Sequence, residues 1–248
     1  AQNSRMQVIA NNLANVNTTG FKRDRANFET LLYQVIKASG AQTSGETRSN
    51  SAFSVGTGVR IINADKLFTQ GNIVSTDNAL DISIDGSGFF QVLMPDGRIG
   101  FTRNGTFSRN NEGALTTSSG FIIQPEVVIP EDAQEINVSS DGVVSVQLPG
   151  AVEQEEVGQI EFAEFQNRNG LQPIGESFFV ETPASGEPII ANPLEGSFGK
   201  IVQGALESSN VSVVKELVDM IETQRAYEVN SKAISSVDEM LRFISNNL

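Results

Sequence analysis

The sequence predicts an α+β protein, with a mostly-β central domain and N- and C-terminal α-helices that pair as a coiled-coil stalk. Three observations predict it. Apolar residues step by three and four at both ends of the chain, and they alternate with period two in the middle. Turn dipeptides crowd that middle, and no proline follows Pro193.

The N-terminal segment, residues 1–37, carries Met6, Ile9, Leu13 and Val16 on one helical face. Thr18-Thr19-Gly20 interrupts the pattern, and Phe28, Leu31, Leu32, Val35 and Ile36 predict a second helical piece. Within "ANNLANVNTTGFKR", residues 10–23, four positions are asparagine, a poor material for a hydrophobic core. Residues 38–69 follow as an extended ribbon or linker, because 38–58 are polar, glycine-bearing and weakly patterned.

Residues 70–204 read as the β-domain. "NALDISIDGSGFFQVLMPDGRIGFTRNGTFSRNNEGALTTSSGFIIQ" shows short alternating runs separated by Asp-Gly, Asn-Gly, Glu-Gly and Ser-Gly, which predicts strands joined by tight hairpins. In residues 205–248, Val213, Leu217, Met220, Tyr227, Ile234, Val237, Leu241, Ile244 and Leu248 form a heptad-like seam. Ser209 or Asn210 is the expected N-cap. A helix of roughly 35 residues would extend about 50 Å, longer than a small domain is wide. It must protrude, and its seam must be covered.

Composition limits the chemistry. The 248 residues include 39% hydrophobic ones, enough for a core, and 30 acids against 17 bases give a net charge of -13. Nucleic acid is thereby excluded as a partner. From Glu126 to Glu195 there are 14 acids and one base, Arg168, so this stretch carries the whole imbalance and reads as a solvated acidic face. The balanced remainder can self-associate without repulsion. With no cysteine and no histidine, thiol and Ser-His-Asp nucleophiles and His- or Cys-ligated metals are impossible within the chain. No apolar run reaches the ~20 residues of a membrane helix. No cleavable secretory signal is recognised, and because the sequence opens inside a helical pattern, a short preceding piece is expected.

Several stretches imitate sites. Asp81-Ile-Ser83-Ile-Asp85-Gly86 resembles the first half of a calcium loop, but Val92 stands where that loop needs a bidentate glutamate, and Ile82 and Ile84 suit a strand. Gly86-Ser-Gly88 lacks the third glycine and the helix of a dinucleotide loop. Arg98, Arg103 and Arg109 near Phe101 and Phe107 read as a solvated strand face. A carboxylate-based cell-wall hydrolase or a surface adhesin remains the rival class, since thirty acids always supply pairs. No cofactor, metal or catalytic residue is assigned.

The two ends can cover each other. The first 60 residues hold seven bases and three acids, and residues 207–239 hold the reverse, so charge favours the pairing. Asn11, Asn12, Asn15, Asn17, Gln224, Asn230 and Ser231 would then flank the pair, exposed. Amides both donate and accept, so they suit contacts between identical helices. A heterologous contact of that kind grows into an open helical tube.

These residues also carry a family resemblance. "ANNLANVNTTGFKR" resembles the N-terminal signature of the flagellar rod and hook family, and "SNVSVVKELVDMIETQRAYEVNSKAISSVDEML" its C-terminal one. "DISIDGSGFFQV", "FTRNGTFSRNNEGALTTSSGF" and "IGESFFVET" resemble its central β elements. Within the family, "FETLLYQVIKASGAQTSGE" followed by "GTGVR" is most similar to the distal-rod members, with proximal-rod or hook subunits as the near alternative.

The resemblance implies a non-enzymatic subunit of the basal-body rod, outside the cytoplasm, exported unfolded by the flagellar export machinery. It implies a helical homopolymer, a hollow drive shaft with the β-domain outside, that meets other rod proteins, hook subunits and surrounding ring proteins. The expected assembly residues are Asn11, Asn12, Leu13, Asn15, Gly20, Phe21 and Lys22 at one end. At the other they are Leu217, Met220, Gln224, Arg225, Tyr227, Asn230, Met240 and Leu241. Gly20 is expected to permit the turn that redirects the chain.

Overall fold

The computed structural model describes residues 2–37, 52–150 and 154–246. They are mostly β, with one α-helix at each end, and they group into two compact units. The described residues of 1–11, 24–65 and 214–248 make the first unit, and those of 12–23 and 66–213 the second.

In the first unit, helix α1 (Gln2–Ala14) buries Ile9, and Arg5 pairs with Asp219 of helix α2 (Val213–Asn246) at 3.6 Å. At 34 residues, α2 is about 51 Å long, whereas α1 is about 20 Å, so α1 can cover only a fraction of it. From Gln224 to Ile244 every side chain except Ala226 is exposed. Tyr227, Ile234, Val237, Leu241 and Ile244 of the expected seam are all more than half exposed.

The second helical piece expected over Phe28–Ile36 is instead β-structure. Asp24–Thr30 pairs with Val59–Lys66, and Tyr33–Lys37 pairs with Phe53–Gly56 in antiparallel register, Tyr33 opposite Gly56. A short apolar run does not distinguish helix from strand by spacing alone. Here the partner strands, whose contacting residues lie 16 to 38 positions further on, decide. Both ribbons remain open, with Leu32 90%, Tyr33 61% and Phe53 58% exposed. Of the ribbon expected over 38–69, residues 38–51 lie outside the described residues.

The second unit holds the core. Among the described residues, a nine-stranded antiparallel sheet runs in the order Gln172–Gly175, Phe178–Val180, Ile99–Thr102, Phe89–Leu93, Ile122–Gln124, Leu115–Thr117, Phe107–Arg109. Phe162–Glu164 also pairs with Phe89–Leu93, and Ile189–Ala191 extends from it. Phe90 is fully buried and meets Phe107 and Phe162 edge-to-face at 5.1 and 5.6 Å. A second aromatic cluster joins Phe68, Phe89, Phe101, Phe165 and Phe179. Such edge-to-face pairs add ~0.5–1.5 kcal/mol each beyond the area they bury.

The hairpin reading holds at Gly97, Gly113 and Gly120, whose N–H groups bond back to Met94, Asn110 and Thr117. It fails at Asp85-Gly86 and Asn104-Gly105. Ile82–Asp85 does not fold back on Phe89–Leu93; it pairs with Lys200–Gln203. At the other site, Ile82 N–H donates to Gly105 O at 3.0 Å. Both dipeptides are corners at which the chain changes partner. The calcium-like stretch is strand, as Ile82 and Ile84 required, and the Asp81 carboxylate accepts from Thr76 and Asn78 at 2.8 and 3.0 Å.

Candidate functional site: a buried ionic clasp and an open helix stripe

The segment after α1 does not lie on a surface. Gly20 has φ +68°, and its N–H donates to Glu207 O at 2.8 Å. A Cβ there would lie 2.6 Å from Asn104 N and 2.7 Å from Arg103 C, so the turn needs a left-handed residue without a side chain. Phe21 is half-buried, with the Lys66 ammonium 4.9 Å from its ring centroid. Lys22, next in line, points inward and is 1% exposed.

Glu207, with no exposed side-chain surface, receives it. Its Oε1 accepts from Lys22 Nζ at 2.6 Å and from Gly71 N–H at 2.8 Å, and its Oε2 accepts from Arg103 Nη1 at 3.2 Å. Lys22 also donates to Thr69 O at 2.9 Å, and Arg103 Nη2 to Gly86 O at 2.6 Å. Among the described residues Arg103 Nε has no hydrogen-bond partner. Burial pulls Lys22 and Arg103 below their ordinary pKa values, and the Glu207 carboxylate opposes this for both.

Asn210 completes the arrangement. Its Oδ1 accepts from Arg23 N–H at 2.8 Å, and its Nδ2 donates to Leu67 O at 2.7 Å and to Thr69 O at 3.0 Å. The expected cap residues are thus used elsewhere: Asn210 ties segments together, and Ser209 Oγ accepts from Val211 N–H. Arg103 likewise departs from the solvated face expected for it, being 3% exposed, whereas Arg98 lies outside on Asp96. Glu207 was not singled out by the sequence, and it lies 185 residues from Lys22.

The other expected assembly residues divide by burial. Asn12 is 1% exposed, so it cannot flank an open pair of helices. Leu13, Asn15 and Met220 are half-buried, and Asn15 Oδ1 accepts from Thr18 at 3.2 Å. Asn11 is exposed and donates to Asp24. Leu217, Gln224, Arg225, Tyr227, Asn230, Met240 and Leu241 are all exposed along α2. Among the described residues, no group of three acids converges as a metal site, and no helix is long and apolar enough to cross a membrane.

Three protein-family models match parts of the chain. Residues 1–22 match the family "Flagella basal body rod protein", 83–146 the "Flagellar hook protein FlgE/F/G D1 domain", and 202–248 the "Flagellar basal body rod FlgEFG protein C-terminal". The flagellar basal-body rod protein FlgG of Buchnera aphidicola (subspecies Acyrthosiphon pisum) is 49% identical over 99% of this chain and 94% of its own length. Caulobacter vibrioides FlgG is 43% identical, over 99% of this chain and 94% of its own. The FlgF rod protein of the same bacterium is only 32% identical, over 96% and 89%. On this similarity, sustained over almost the full length and stronger to FlgG than to FlgF, the chain belongs to the flagellar basal-body rod family.

Proposed function

We infer that the protein is a structural subunit of the bacterial flagellar distal rod, the periplasmic shaft of the basal body that carries torque towards the hook. The preference for FlgG over FlgF within one organism supports the distal over the proximal position. Family membership leaves the rival hydrolase or adhesin without support. The observation that carries a polymer reading is the apolar stripe of α2, which is open over more than half of the helix. Burying one Leu, Ile or Met side chain contributes ~1.5–3 kcal/mol. Several per subunit can therefore offset the ~4–15 kcal/mol that association costs in lost freedom.

In this reading residues 1–37 and 205–248 are assembly segments, 38–69 stiffen the tube and 70–204 form the β-domain. The ends pair as a coiled coil whose exposed flank, from Asn11 to Leu241, meets neighbouring copies. Leu217, Met220, Tyr227, Met240 and Leu241 supply the apolar contact, with Gln224, Arg225 and Asn230 the polar one. Other rod proteins, hook subunits, ring proteins and the export machinery are the remaining partners. The test is to supply the subunit, tagged, to a strain lacking its own distal-rod protein and to image isolated basal bodies. Tagged rods and restored swimming are expected; untagged, rodless basal bodies would overturn the reading.

A further inference from the structure

The clasp has a property beyond assembly. It joins three stretches of chain, residues 20–23, 66–71 and 207–210, to Arg103 of the sheet domain, and each stretch holds a group that another needs. The first brings the Lys22 ammonium, the second Thr69 O and Gly71 N–H, and the third the Glu207 carboxylate. Along the chain, all three adjoin points at which it leaves the second unit, after residues 23 and 213 and before residue 66.

We propose that Glu207 is a keystone that makes docking of these three segments onto the sheet domain all-or-none. With Glu207 in place, two cations that are 1% and 3% exposed share one carboxylate. With residues 207–210 detached, two cations remain buried without their counter-charge, an arrangement far costlier than losing an exposed ion pair. With residues 20–23 or 66–71 detached, the buried Glu207 carboxylate loses one of its three donors and Asn210 loses a partner as well. Among the described residues Arg103 Nε has no acceptor and Lys22 no second carboxylate, so every partly docked arrangement leaves a buried group of the set without its partner. Intermediates with one or two segments attached are therefore scarce. In a load-bearing polymer such a joint is either closed or open, without a compliant state between.

Hydrogen exchange of the full-length monomer, followed by mass spectrometry, tests this without requiring assembly. The reporters are the N–H groups of Gly20, Arg23, Leu67 and Ser208, which bond to Glu207 O, Asn210 Oδ1, Arg23 O and Asn72 O. Leu115 N–H, bonded to Val127 O, reports the sheet core. In Lys22→Met, Glu207 keeps Arg103 but loses a buried donor, and the proposal expects all four reporters to exchange faster together, by on the order of tenfold, with Leu115 unchanged. Acceleration at Gly20, Arg23 and Leu67, whose bonds all involve residues 20–23, with Ser208 still protected, overturns it. Glu207→Gln should give the same concerted pattern. Should that variant fail to fold, with Leu115 exchanging freely, the Lys22→Met result decides.

Discussion

Replacing Gly20 with alanine separates two costs that are usually entangled. At Gly20, φ is +68° and a Cβ would lie 2.6 Å from Asn104 N and 2.7 Å from Arg103 C, both backbone atoms of the sheet domain. At Gly120, φ is +84° but nothing lies within 4 Å of a Cβ. Both substitutions incur the left-handed penalty of about 1–2 kcal/mol. Both also gain the ~0.4–1 kcal/mol that alanine contributes by stiffening the unfolded chain. Those contributions cancel in the comparison. What remains at Gly20 is an overpacking cost of ~1–3 kcal/mol, because backbone cannot step aside as a flexible side chain would. Guanidinium unfolding of the second unit, followed by tyrosine-independent far-ultraviolet circular dichroism, should show Gly20→Ala less stable than Gly120→Ala by about that amount at equal slope. Equal midpoints would refute the close approach of residue 20 to the 103–104 backbone.

Other consequences follow from burial and charge. Leu217 and Leu241 are 43% and 60% exposed in the single chain, so converting both to aspartate should leave the monomer's melting unchanged. The same double variant should abolish tubes in electron micrographs, since a charge in a covered seam costs several kcal/mol; normal tubes would contradict the proposed interface. The Arg98 side chain and N–H hold the Asp96 carboxyl below its ordinary pKa. With the folded value depressed, its stabilising contribution is present above the unfolded pKa and fades as pH falls through the folded one. An NMR titration should place the Asp96 midpoint below that of an ordinary aspartate, and Arg98→Ala should return it.

What could be read from the sequence was whatever depends on local periodicity. The three-and-four spacing of Leu217, Ile234, Val237 and Leu241 specifies a long helix whether or not anything covers it, and α2 runs from Val213 to Asn246 accordingly. Alternation at Ile82 and Ile84 and the hairpins closed at Gly97, Gly113 and Gly120 were legible for the same reason: a hydrogen bond between near neighbours needs only near neighbours.

Tertiary structure decided the rest. Phe28 to Ile36 have spacing compatible with either element, and strands drawn from residues 53–66 made them β. Lys22, Arg103 and Asn210 are ordinary surface types until Glu207 and the 66–71 segment are brought beside them. A buried cation is tolerable only with its counter-charge in contact, and that contact joins residues 22, 103 and 207, which no local pattern connects. The sequence alone therefore determined the helices, the β-texture and the family; the fold decided that the asparagine-rich turn leads not onto an open surface but into a buried ionic joint.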